Sequence, residues 1–205
     1  MLSALAYLVM VVIKIPIVLF LSYEPKDVII TIGGFLYGPL ASLAMSVIVS
    51  LIEMVTVSNT GLIGAIMNIV STCAFACTAT FIYKKRRTIG GAAVGLVIGV
   101  LMATVVMLLW NYLLTPLYMN TLRSDVAAML IPIFLPFNLL KGGLNAAITM
   151  ILYKPIRIAL NKSRLLPVSG NSETKSSKMN IGALIVSAFI ILTCVLFVLS
   201  FQGKI

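Results

Sequence analysis

The stretch VIITIGGFLYGPLASLAMSVIVSLIEMVTV, residues 28–57, decides the fold. Thirty residues at 1.5 Å each would make a helix of ~45 Å, longer than the ~30 Å hydrocarbon core of a bilayer. Gly38-Pro39 interrupts the run near its middle, and proline has no N–H to bond the preceding turn. The stretch is therefore one kinked helix or two. Around it, apolar runs at 2–21, 61–83, 89–114 and 181–201, and another ending near Tyr153, are long enough to cross a membrane. With 61% hydrophobic and 10% charged residues in 205, the chain reads as an integral membrane protein. The first twenty residues lack a basic leader region and an evident cleavage site, so they read as a membrane helix rather than a signal peptide.

Charge helps to choose between one helix and two. Lys84-Lys85-Arg86-Arg87 and the group Lys154, Arg157, Lys162, Arg164, Lys175 and Lys178 hold ten of the fifteen Lys and Arg residues. Basic residues packed into short loops beside apolar runs follow the positive-inside pattern, which accounts for the net charge of +10 without nucleic acid. With both basic loops in the cytoplasm, 61–83 runs inward and 89–114 outward. Two helices in 28–57 then place the N-terminus inside and the loop at 22–27 outside; one helix reverses both. That loop holds Glu24, Lys26 and Asp27 and is net negative, which favours two.

The expected architecture is all-α: a six-helix transmembrane bundle over 1–160, a flexible cytoplasmic linker over 161–180, and an appended seventh, lipid-facing helix within 181–205. Pro132 and Pro136 complicate the sixth span. A start at Pro136, where a missing N–H costs nothing, and a stop before Pro155 give a suitable length and leave 127–135 as an apolar cover. Small residues recur every four positions, as in Gly34 and Gly38, Gly64 to Thr80, and Gly91, Gly95 and Gly99, and allow close helix approach. Packing inside the bundle is the simpler explanation; the 91–99 stripe is the best candidate for meeting a partner.

With no His, five acids and three cysteines, the chain lacks metal, triad, paired-carboxylate and P-loop arrangements, so enzymatic chemistry and direct use of ATP are not expected. Cys73 and Cys77 read as small buried hydrophobes. Lys141 is different. An ionisable group at membrane depth costs roughly 3 kcal/mol on insertion scales and tends to face a partner or a wet cavity. Asn138, Lys141 and Asn145 stand at i, i+3 and i+7, on one helical face. Trp110-Asn111-Tyr112, Asp27 and Glu53 come to the same outer half of the expected bundle. Trp110 and Tyr112 also suit an interfacial aromatic belt, Asn111 an interhelical hydrogen bond, and Glu53 a counter-ion for Lys141. The whole set suits a neutral, flat ligand rich in hydroxyl or amide groups.

These residues resemble a family. Met1-Leu2-Ser3-Ala4-Leu5-Ala6, Pro25-Lys26-Asp27-Val28 with Gly33-Gly34-Phe35-Leu36-Tyr37-Gly38-Pro39, Trp110-Asn111-Tyr112 with Pro116-Leu117-Tyr118, and Pro136-Phe137-Asn138-Leu139-Leu140-Lys141-Gly142 are similar to the substrate-binding S components of energy-coupling factor (ECF) transporters, the riboflavin-specific type in particular. The resemblance implies a vitamin pocket open to the outside of a bacterial cell membrane, gated by the loop between the first two helices. It implies that Asp27 binds the ribityl hydroxyls and that Asn111, Asn138 and Lys141 contact the ring system. Tyr23, Glu24, Asn68 and Trp110 are further candidate contacts. The partners implied are a transmembrane coupling protein and two cytoplasmic ATPases, with riboflavin as cargo and no cofactor. Another vitamin or flavin mononucleotide as cargo, or a structural subunit without a ligand, are the competing readings. The chain departs from the family in its first helix, where Leu8 stands one turn after Ala4 in place of an Ala-x-x-x-Ala docking surface. Either the chain start is incomplete or docking uses residues such as Ser3 and Ala6. The seventh span also lies outside the six-helix pattern.

Overall fold

A computed structural model describes residues 1–18, 21–57, 61–119, 121–162, 185 and 187–194. The first helix is shorter than expected. α1 covers Leu2–Val12 and gives way to a two-stranded antiparallel hairpin, β1 (Ile15–Val18) and β2 (Leu21–Tyr23), in which Ile15 opposes Tyr23. The sequence around Ile15-Pro16 explains the correction. A residue before proline is pushed out of the helical region, and proline itself is tolerated at a strand edge. The expected span over 2–21 is thus replaced by a shorter helix plus a hairpin, in a fold that is otherwise helical over the described residues.

The deciding stretch divides where proline predicts. α2 (Lys26–Tyr37) ends at Gly38, whose φ of 98° is open to glycine, and α3 (Pro39–Thr56) begins with proline at its first position. The two helices run antiparallel, since Lys26 meets Glu53 at one end and Ser42 Oγ donates to the Ile30 carbonyl near the other. Gly34 permits the contact: a Cβ there would lie 1.9 Å from Ser42 Oγ and 2.3 Å from Thr80 Cγ2.

α4 (Gly61–Thr72) passes through a π-helical turn at Cys73–Cys77 into α5 (Thr78–Lys85), and α6 (Ile89–Met119) follows. α6 packs back on α5 through Gly95 and Gly99, where added Cβ atoms would lie 2.6 Å from the Ala79 carbonyl oxygen and 2.7 Å from that of Phe75. The 91–99 stripe is therefore spent inside the molecule rather than on a partner. α7 (Arg123–Met129), a π turn at Leu130–Phe134 and α8 (Leu135–Lys162) complete the described bundle. The helix thus starts before Pro136 and continues through Pro155, correcting both expected limits. The π turn absorbs Pro132 by adding a residue to the turn that lacks its N–H. Val126 and Phe134 are buried against Leu21 of the hairpin and Phe137 as an apolar cover, while 127–135 itself is helical and, Phe134 apart, not fully buried.

At the opposite end Phe35, Tyr83 and Tyr153 interlock, with ring centroids 4.5–5.7 Å apart and a hydrogen bond between the two tyrosine hydroxyls. Among the described residues four helices are long and apolar enough to cross a membrane: Pro39–Thr56, Gly61–Lys85, Ile89–Leu117 and Arg123–Tyr153. α1 and α2, at 11 and 12 residues, are shorter. The linker over 163–180 and most of the seventh span lie outside the described residues. Within that span, residues 187–194 are helical. Phe189 and Leu192 face outward, while Ile191 and Cys194 pack on Leu140, Leu144 and Tyr23, so only one face is free for lipid.

Candidate functional site

The contacts between helices set a common depth. α2, α4 and α8 run parallel: Asp27 meets Thr72 and Asn145, while Gly34 meets Thr80 and Phe35 meets Tyr153 further along. Asp27 in the first turn of α2 is therefore held between two neighbours at its own level. Its carboxylate, 2% exposed, accepts from Thr72 Oγ1 at 2.7 Å and from Asn145 Nδ2 at 3.2 Å. Lys141 Nζ stands 4.0 Å from the same Oδ2 that Asn145 engages, with its side chain 14% exposed. The Tyr23 hydroxyl donates to Asn145 Oδ1 at 3.0 Å. Burial first, and then the charge of Asp27, push the Tyr23 hydroxyl above its ordinary range, which keeps it a donor. A relay from Tyr23 through Asn145 to Asp27 thus ties the hairpin to α8 and α2.

A second cluster adjoins the first. Lys26, 1% exposed, bonds Glu53 of α3 and lies 2.9 Å from Glu24; Asn68 Nδ2 donates to Glu53 Oε1 at 3.0 Å, and Lys14 reaches Glu24 at 3.1 Å. Burial would raise the Glu24 carboxyl, but Lys26 beside it, with Lys141 and Lys14, outweighs that and holds it at about 2. Both strands of the hairpin are thereby anchored by charge, through Lys14 before β1 and Glu24 after β2. The pairing corrects the expectation for Glu53: its partner is Lys26, and the partner of Lys141 is Asp27. An ammonium binds the carboxylate at its own depth, and Lys26 and Glu53 are at matched ends of antiparallel helices.

The sequence candidates separate accordingly. Asp27, Lys141, Tyr23 and Glu24 gather at the base of the hairpin, and Asn68 reaches the neighbouring ion cluster. Asn138 stands two turns beyond Asn145, ~10 Å along α8, and gives its amide to the Phe134 carbonyl. Asn111, fully buried, donates to the Met107 carbonyl and accepts from Thr115. Leu108, on the same face of α6, packs into the cover around Leu21 and Phe137. Trp110 Nε1 is buried with no hydrogen-bond partner among the described residues. Asn111 and Asn138 therefore adjoin the helix faces that carry the cover, and among the described residues neither makes a hydrogen bond to Asp27.

Sequence reasoning missed Lys26 and Thr72 as members, and named Asn145 only for its place on the face of Lys141. The i, i+7 spacing of Asn138 and Asn145 is the signal that was available for the latter. Thr72 was legible only as one small residue in a packing stripe. Cys73 and Cys77 are half-buried, as small apolar-segment thiols, with Cys77 Sγ 3.7 Å from the Pro39 carbonyl.

The family model for the substrate-specific component of ECF transporters matches residues 1–153. The riboflavin transporter RibU of Staphylococcus aureus (strain TCH60) is 28% identical over 163 residues, covering 75% of this chain and 85% of that protein. The riboflavin transporter FmnP of Bacillus subtilis (strain 168) is 26% identical over 154 residues, covering 71% and 81%. A solved structure of the S component of a bacterial ECF transporter superposes with a TM-score of 0.66 at 26% identity, covering 78% of this chain and 92% of that one.

Proposed function

The chain belongs to the family of ECF transporter substrate-specific components, which are membrane transport subunits rather than enzymes, and we propose that its cargo is riboflavin. The observation that carries this reading is the polar floor around Asp27, in a chain whose named relatives are riboflavin transporters. Asp27 accepts from the ribityl hydroxyls, Lys141 donates to ligand oxygens, and Asn138 and Asn111 meet the ring system under the apolar cover. Their present bonds to their own helices are ones that a side-chain rotation exchanges for ligand contacts. The charge balance favours riboflavin over its phosphate ester. Lys14, Lys26 and Lys141 are matched by Glu24, Asp27 and Glu53, so none of these three lysines is left over for a phosphate.

The hairpin end faces the outside of a bacterial cell in this reading. Lys84 and Lys85 close α5 at the opposite end, where positive charge belongs to the cytoplasm. The start of α1 lies at that same end, since a Cβ on Gly33 would approach Leu2 while Met10 meets Lys26. The protein then hands its cargo to a transmembrane coupling protein driven by two cytoplasmic ATPases. Ala6 is fully buried, which leaves the exposed Ala4, Leu5 and Leu8 face of α1 as the docking candidate. Titration of purified protein with riboflavin, followed by quenching of flavin fluorescence, tests the cargo. Nanomolar-range binding with much weaker competition by flavin mononucleotide is expected; no quenching by a folded sample would refute it.

A further inference from the structure

The C-terminal helical segment has no place in the six-helix reading, yet its described residues contact the site. Ile191 and Cys194 pack with Tyr23 of β2, Ile17 of β1, and Leu140 and Leu144 of α8 in one apolar cluster. Gly143 makes the seat: a Cβ there would lie 3.9 Å from both Cys194 Sγ and Ile190 Cγ2. Ser187 is buried, while Ile185, Phe189 and Leu192 are exposed, so the segment presents one definite face. Both strands of the hairpin thus share a cluster with the segment, β2 through Tyr23 within it and β1 through Ile17 packed against it. One of them, Tyr23, is the first member of the relay to Asn145 and Asp27.

We propose that this C-terminal helix is a built-in brace, with Gly143, Ile191 and Cys194 as positioning residues that hold the hairpin and Tyr23 against α8 and so slow ligand exchange at Asp27. The inference rests on the reading of that site as a ligand site. The hairpin is also held by Leu21 under the cover, by the buried Glu24–Lys26 pair and by Lys14 to Glu24, of which the last is screened by solvent at its lysine. Apolar packing on its inward side adds a restraint that must be broken before Tyr23 can swing away. Such a restraint acts on the rate of release more than on the rate of encounter.

The test uses the full chain with Cys73→Ser and Cys77→Ser, leaving Cys194, and adds Gly143→Cys. Mild oxidation should form a 143–194 disulfide, detected as an intact-mass loss of two hydrogens that reductant reverses. Riboflavin release from the oxidised sample should be slower than from the same sample reduced by about tenfold or more. Gly143→Leu, which unseats the helix, should release faster than the parent, and Gly143→Ala, which fits the gap, at the parental rate. Failure to form the disulfide, or equal release before and after reduction, overturns the brace. If the parent binds no riboflavin, the cargo reading has failed. The brace is then judged by amide exchange of residues 14–23, which the disulfide must slow; unchanged exchange overturns it.

Discussion

Without its ammonium, Lys141 would leave Asp27 Oδ2 with Asn145 as the remaining near donor, and would deny the ligand a charged one. Lys141→Ala is expected to weaken riboflavin binding by about 1–3 kcal/mol, and Asn138→Ala by a similar amount, because each leaves a ligand group unpaired. Isothermal titration of both variants checks this, and unchanged affinity in both would move the site elsewhere. Glu24 supplies a pH dependence. Its folded-state value of about 2 lies below the ordinary 4.5, so its contribution to stability is complete above 4.5 and is lost as pH falls toward 2. Thermal midpoints of the parent should therefore drop across that window, and Glu24→Gln should flatten the drop. Asp27 and Lys141 were legible as single residues because a charge in an apolar context is conspicuous. Their pairing was not, since three lysines and three acids near one membrane face allow several assignments.

At the scale of elements, two contacts govern the α2–α3 hairpin. Lys26→Met would leave the buried Glu53 with no cation and Glu24 with Lys14 alone, at an expected cost of about 3–5 kcal/mol. Replacing Glu53 by Met as well should recover part of it. Gly34→Val would drive a branched side chain into Ser42 and Thr80, lowering stability by at least the ~1–3 kcal/mol typical of overpacking. Denaturation in detergent or nanodiscs, followed by tryptophan fluorescence from Trp110, reads both. The division of 28–57 was legible because Gly-Pro acts within one turn. The β-hairpin was hidden because 2–21 is apolar throughout, and an apolar run alone suits a membrane helix as well as a buried strand. Pro16 was the available signal. The passage of α8 through Pro155 was hidden in the opposite sense, since its helix tolerates a proline that local rules treat as a stop.

For the whole molecule, capture and transport should separate. Purified protein in nanodiscs is expected to bind riboflavin without ATP, while uptake into vesicles should require co-reconstitution with an ECF coupling module and ATP. Uptake by this chain alone would refute the proposed division of labour. The sequence by itself determined the membrane class, the break at Gly38-Pro39 and the motifs shared with the S components. Those features rest on hydropathy, proline chemistry and local spacing, which act within a turn or a span. Only the tertiary structure decided that Lys26 takes Glu53 and Lys141 takes Asp27, that the 91–99 stripe packs inward, and that Asn145 links Tyr23 to Asp27. Each of these depends on which side chains share a depth and a facing direction once parallel and antiparallel helices have packed, and the polar pairs concerned lie 27 to 122 positions apart in the chain.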